Sequence, residues 1–142
     1  MKSIGKPLIG ALALGLALPA AAATMTQGAL PQARTANGIA YMSGGIGEAE
    51  AAAMKEEARH YPLSMVFSAR KDNEYLADVH VDIKNKAGKE VLNTVSDGPI
   101  MLVKLPAGNY KVAAEVEGKT LHRSVRIPAR GDEQLNFHWP HA

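Results

Sequence analysis

Cysteine is absent from the chain. That excludes disulfides, a thiol nucleophile and a lipidated N-terminal cysteine, so a folded domain here must rely on its own apolar core. An excess of one charge sign is missing too. Of the 16 basic residues, Lys2 and Lys6 lie at the extreme N-terminus; without them 14 basic residues face 14 acidic ones. Nucleic-acid binders and anionic-membrane binders show a basic excess or stripe. Here the charges are interspersed, and the tightest basic group, Lys84, Lys86 and Lys89, surrounds a turn, where it solvates a hairpin tip. No nucleic-acid partner is expected. Beyond residue 23 there is also no long hydrophobic run, so no stable membrane insertion is expected of the remaining chain.

What is present begins with an export signature. Lys2 and Lys6 form a basic start, Leu8 to Leu18 is an apolar stretch, and Pro19 precedes Ala20 to Ala23. This pattern predicts a signal peptide over residues 1–23, cleaved near Ala23, and a periplasmic or secreted product. Residues 24–37 are rich in Thr, Gln, Gly, Ala and Pro with Arg34 as the one charge, and read as a flexible lead.

Residues 38–62 read as a glycine loop and a helix. Glu48 to Arg59 is rich in alanine and glutamate, with acids at its start, Arg59 and His60 at its end, and Pro62 to stop it. Met54, Ala58 and Tyr61 share one face, which predicts packing against a sheet, and Glu56 can pair with His60.

From Leu63 to Trp139 apolar residues recur at every second position between turn signals. Val79, Val81 and Ile83 oppose Asp78, His80 and Asp82; Tyr110, Val112, Ala114 and Val116 form another inward row; Leu121, Val125 and Ile127, then Leu135, Phe137 and Trp139, form two more. Ile100 to Leu105 is almost wholly apolar and reads as a central strand. Turns fall at Lys71 to Glu74, Asn85 to Gly88, Ser96 to Pro99, Pro106 to Gly108, Gly118 and Pro128 to Gly131. The expected fold is mainly β: a seven-stranded antiparallel β-sandwich over residues 63–139, preceded by one short α-helix, with residues 140–142 as a tail.

The run Ala77-Asp78-Val79-His80-Val81-Asp82-Ile83, the loop Ser96-Asp97-Gly98-Pro99 and the corner Leu105-Pro106-Ala107-Gly108-Asn109-Tyr110-Lys111-Val112 together resemble the carboxypeptidase regulatory-like domain, a transthyretin-like (prealbumin-like) sandwich. The resemblance covers about Leu63 to Trp139. It implies a buried tyrosine after the Pro-x-Gly corner, matched by Tyr110, and an accessory or binding module without catalytic residues or cofactor. This chain departs from the usual setting of that family in having no attached catalytic domain.

Several constellations invite chemistry. Asp78, His80 and Asp82, spaced about 7 Å per step along one strand face, could hold a divalent ion with His122 or His60, although a solvated sheet face needs the same alternation of polar residues. In His138-Trp139-Pro140-His141 the proline forbids the turn that would join the two histidines. Ser43-Gly44-Gly45-Ile46-Gly47 lacks the spacing of a phosphate cradle, and Glu48 and Glu50 would repel an anion there. Ser68-Ala69-Arg70-Lys71 matches Ser-x-x-Lys but ends a strand instead of opening a buried helix. The five methionines beyond Met1 are scattered core filler. The sequence therefore predicts a non-catalytic envelope module whose partner is a protein or glycan. It contacts that partner through sheet edges, through Asp97, Gly98 and Pro99, or through Asp78, His80 and Asp82. Metal binding by Asp78, His80, Asp82 and His122 is the alternative.

Overall fold

Alternating apolar and polar residues build nine strands among the described residues of the computed structural model, 30–69 and 74–140. They are β1 (Arg34–Ala36), β2 (Ile39–Gly44), β3 (Leu63–Ala69), β4 (Val79–Asn85), β5 (Glu90–Ser96), β6 (Ile100–Val103), β7 (Gly108–Val116), β8 (Lys119–Ile127) and β9 (Glu133–Trp139). Among the described residues a single helix, α1 (Glu48–Glu57), continues into a 3-10 turn at Ala58–His60. Residues 1–29, on which the expected signal peptide and the first part of the expected lead fall, residues 70–73 and the final two residues lie outside the described residues.

The strands form a five-stranded sheet in the order β1-β2-β6-β3-β9 and a four-stranded sheet in the order β5-β4-β7-β8. One shared core joins them. Leu63, Met65, Phe67, Met101 and Val103 from the first sheet meet Val79, Val81, Ile83, Val112 and Ala114 from the second, all fully or nearly fully buried. Phe67, Phe137 and Trp139 form an aromatic centre with ring centroids 5.7 to 6.3 Å apart. Trp139 Nε1 donates to the Lys119 carbonyl at 3.0 Å, closing the sandwich between β9 and β8. On the opposite side Tyr41 and Thr94 hydroxyls meet at 3.2 Å and join β2 to β5.

Three expectations need correction. There are nine strands, not seven. β1 lies inside the stretch read as a flexible lead, and β2 takes up the apolar run after it. Asn37 and Gly38 both adopt positive φ, at 52° and 77°, and turn β1 into β2 as a two-residue hairpin. Finally, the sandwich is not wholly antiparallel, because β9 pairs with β3 in parallel register from Leu63↔Glu133 to Ala69↔Trp139.

The helix behaves as its spacing predicts. Met54, Tyr61, Met42, Ile100 and Leu102 form a second buried cluster, with Ala51 and Ala58 packed against it, on the outer face of the five-stranded sheet. This explains β6: with core on one side and helix on the other, all four of its residues are buried. The expected Glu56–His60 pair is replaced by Glu56 with Arg59, at 2.7 Å. No helix among the described residues is long and apolar enough to cross a membrane.

The corner after β6 matches its reading. Leu105 and Val112 are buried, and Tyr110 is 8% exposed with its hydroxyl donating to the Pro106 carbonyl at 2.8 Å. Gly108 holds φ 154°, which a side chain would strain.

Candidate functional site

Among the described residues no helix packs on the outer face of the four-stranded sheet, and alternation places its polar residues there in cross-strand rows. One row runs Val95–His80–Glu115–Thr120, the next Asn93–Asp82–Ala113–His122, and the third Glu90–Lys84–Lys111–Ser124. The third row follows a register shift between Ile83 and Lys84.

The expected ligand group Asp78, His80, Asp82 and His122 does not come together. Asp78 precedes β4 with φ 56°, so it has left the strand alternation that would align it with His80 and Asp82. His122 is separated from Asp82 by the whole of β7, about 10 Å at two strand spacings. His60 ends the 3-10 turn that follows the helix of the other sheet. Among the described residues no group of three His, Asp or Glu side chains is placed to hold a metal ion. His80 is instead engaged by its neighbours on the sheet. His80 Nε2–H donates to Asn93 Oδ1, Asn93 Nδ2 donates to Glu90 Oε1 at 3.0 Å, and His80 Nδ1 lies 3.9 Å from Glu115. Asp82 Oδ1 is buried without a hydrogen-bond partner. Its carboxyl is pushed above the ordinary 3.8, first by burial and then by the neighbouring Glu90 charge, with Lys84 opposing.

The loop Asp97-Gly98-Pro99 is mostly interior. Gly98 and Pro99 are buried and only Asp97 is exposed, where it pairs with Arg34 at 3.4 Å. The Asp97 N–H donates to Ser43 Oγ and the Ser96 hydroxyl donates to the Gly98 carbonyl, so the loop is tied down on β2. A Cβ at Gly98 would collide with the Gly44 backbone. This close approach is why the position holds glycine.

A serine–histidine contact also exists. Ser68 Oγ and His138 Nδ1 lie 3.1 Å apart across the β3–β9 pair. No acid among the described residues orients that imidazole, and the pair is exposed on a regular ladder. A triad needs a third group behind the base. The geometry is that of a cross-strand hydrogen bond.

One recess stands apart from the residues picked out by sequence. About 850 Å³ in volume, it lies at the β4–β5 hairpin end of the uncovered sheet and is lined by Lys84, Lys86, Lys111, Arg126, Asn109 and Ser124 over the edge of Tyr110. No acidic residue lines it. Lys84 and Lys111 are direct cross-strand partners, and like charges in that position destabilise a sheet. The sequence shows Lys84 and Lys86 as a hairpin tip, but Lys111 and Arg126 join them only through the register of three strands. The available signal was the outward phase of Lys111 next to inward Tyr110. No protein-family model matches this chain, and no curated protein does.

Proposed function

We propose that this chain is an exported, non-catalytic binding module of the cell envelope, built as a carboxypeptidase regulatory-like sandwich of transthyretin type. The observation that carries the reading is the asymmetry of the two outer faces. One is sealed by α1 and its methionine and tyrosine contacts, while the other is left as an open, polar and recessed sheet face. The N-terminal pattern of Lys2, Lys6, an apolar stretch and four alanines supports export, and the buried Tyr110 after its Pro-x-Gly corner supports the family likeness. Catalysis is not part of the reading because no nucleophile, base and orienting acid converge among the described residues.

Cell fractionation with N-terminal sequencing, followed by cross-linking in the envelope fraction, tests this. The expected result is a product beginning near Thr24 outside the cytoplasm, cross-linked to an envelope component through the four-stranded sheet. A product that keeps Lys2 and stays in the cytoplasm overturns the reading. So does an exported product that forms no cross-link.

A further inference from the structure

We infer that the recess over Lys84, Lys111 and Arg126 binds an acidic saccharide, a short sugar chain bearing two or more oxyanion groups. The inference rests on the binding-module reading and names the chemical class of its ligand.

The first argument is charge. Four cations, Lys84, Lys86, Lys111 and Arg126, line one concavity without any acidic residue in its wall. None of the four forms an ion pair among the described residues. Of the acids closest in register, Glu90, opposite Lys84, accepts from Asn93. Asp82 does act on Lys84 electrostatically, without forming an ion pair. A fold that sets Lys84 directly across from Lys111 pays for it in repulsion unless an anion sits between them.

The second argument is geometry. The cations are spread over β4, β7 and β8, so a ligand that meets them all must span about 10 Å, two strand spacings. A single inorganic oxyanion cannot do that. A volume of about 850 Å³ suits several sugar rings. Asn109 and Ser124 stand between the cations with side chains that make no hydrogen bond among the described residues, which matches alternating hydroxyl and carboxylate groups.

The third argument is what the recess lacks. Base recognition by a nucleic-acid strand relies on exposed aromatic platforms, and Tyr110 is buried with its hydroxyl engaged. An acyl chain or a protein hot spot needs large exposed apolar side chains, and the two large apolar residues in the wall, Tyr110 and Val125, are each only 8% exposed. The exposed large hydrophobics among the described residues, Leu30, Ile46, Tyr75 and Val95, are all outside the recess.

The test uses protein expressed from the full sequence and purified in the form its host produces. Calorimetric titration with tetragalacturonate, maltotetraose and inorganic phosphate is run on the wild type, on K84Q/K111Q, and on K55Q/R59Q as a charge-matched control on α1 and its 3-10 turn, against the other sheet. Tetragalacturonate should bind, with maltotetraose showing no heat and phosphate competing only weakly. The recess variant should lose affinity by roughly tenfold or more, the equivalent of at least one charge-assisted contact, while the control keeps it. A thermal midpoint for K84Q/K111Q at or above the wild-type value shows that folding is not the cause. No binding of tetragalacturonate, equal binding of maltotetraose, phosphate competing as an equal, or the same loss in both variants would each overturn the inference. An envelope cross-link that survives K84Q/K111Q, together with a failed titration, removes the saccharide and leaves the module. Titration that succeeds for a protein retained in the cytoplasm does the reverse.

Discussion

Replacing Tyr110 with phenylalanine removes one oxygen and leaves the ring, so it isolates the hydrogen bond that ties β7 back to the corner before it. That bond runs from the Tyr110 hydroxyl to the Pro106 carbonyl at 2.8 Å, at a residue only 8% exposed. A bond of this kind contributes about 0.5–1.5 kcal/mol net. Pro106 is itself exposed, so its freed carbonyl regains water and no buried acceptor is orphaned. The expected loss is about 1 kcal/mol, which for a unit of about 110 residues lowers the thermal midpoint by roughly 4 °C. Tyr110→Ala also empties the core position and should cost about 3–5 kcal/mol. Urea unfolding read by the single tryptophan, Trp139, which is buried, measures both. A Tyr110→Phe loss below about 0.3 kcal/mol, or one equal to that of Tyr110→Ala, refutes the account of the corner.

The same residue has a pH signature. Burial raises the Tyr110 phenol above its ordinary 10.0, so the folded state holds the proton more tightly than the unfolded chain does. The stabilisation is complete below the ordinary value and is lost as pH rises through the folded one. Tyr110→Phe should therefore flatten the alkaline fall in stability. A residual fall should remain from Tyr61, which is raised by burial and then by Glu57. An unchanged alkaline limb would contradict the burial of the phenol.

Three further outcomes are expected. Gly98→Ala forces a Cβ into the Gly44 backbone at a position without positive φ, and should cost about 1–3 kcal/mol or more by overlap alone; an unshifted urea midpoint would show that the loop has room. Asp82→Asn should stabilise the protein at neutral pH, because the folded state favours the protonated carboxyl. That gain, measured as the gap in urea midpoint, should shrink as pH falls through the raised value and close below the ordinary 3.8; a gap constant with pH would refute it. Lys111→Gln relieves its opposition to Lys84 and should raise stability by about 0.2–1 kcal/mol, less at high salt; a salt-independent loss in calorimetry would mean the two charges do not meet.

Periodicity carried the reading of the two-sheet core furthest. Val79, Val81 and Ile83 are fully buried where alternation put them, and Met54 and Tyr61 lie against the five-stranded sheet as their spacing predicts. The hairpin β1–β2 was missed because residues 24–37 carry no apolar alternation. The informative signal was local: Asn37-Gly38, a pair suited to positive φ, directly before the apolar run. The parallel β3–β9 pair could not be read because register and direction between distant strands leave no trace in either strand alone. Arg123 shows another limit. It shares the inward phase of Leu121 and Val125, yet its guanidinium lies over the Phe137 ring at 5.5 Å, capping the core at an edge strand. The recess was illegible for the reason that hid β9: Lys84, Lys111 and Arg126 are far apart in sequence and meet only through two registers.

The difference between β6 and β7 ties the fold to the proposed function. Ile100–Val103 is apolar at every position because the helix covers one face of its sheet and the core covers the other, so nothing can be recognised there. β7 keeps strict alternation around Tyr110 and Val112 because only one of its faces is buried. Its outward residues need only be soluble, and mixed charge or neutral polar residues would meet that need at lower cost. Two lysines facing each other across β4 and β7, with Arg126 on the next strand and no carboxylate in the wall, are a worse solution for solubility and a better one for holding an anion. The side chains that cost stability on this face are therefore those on which the proposed anion binding rests.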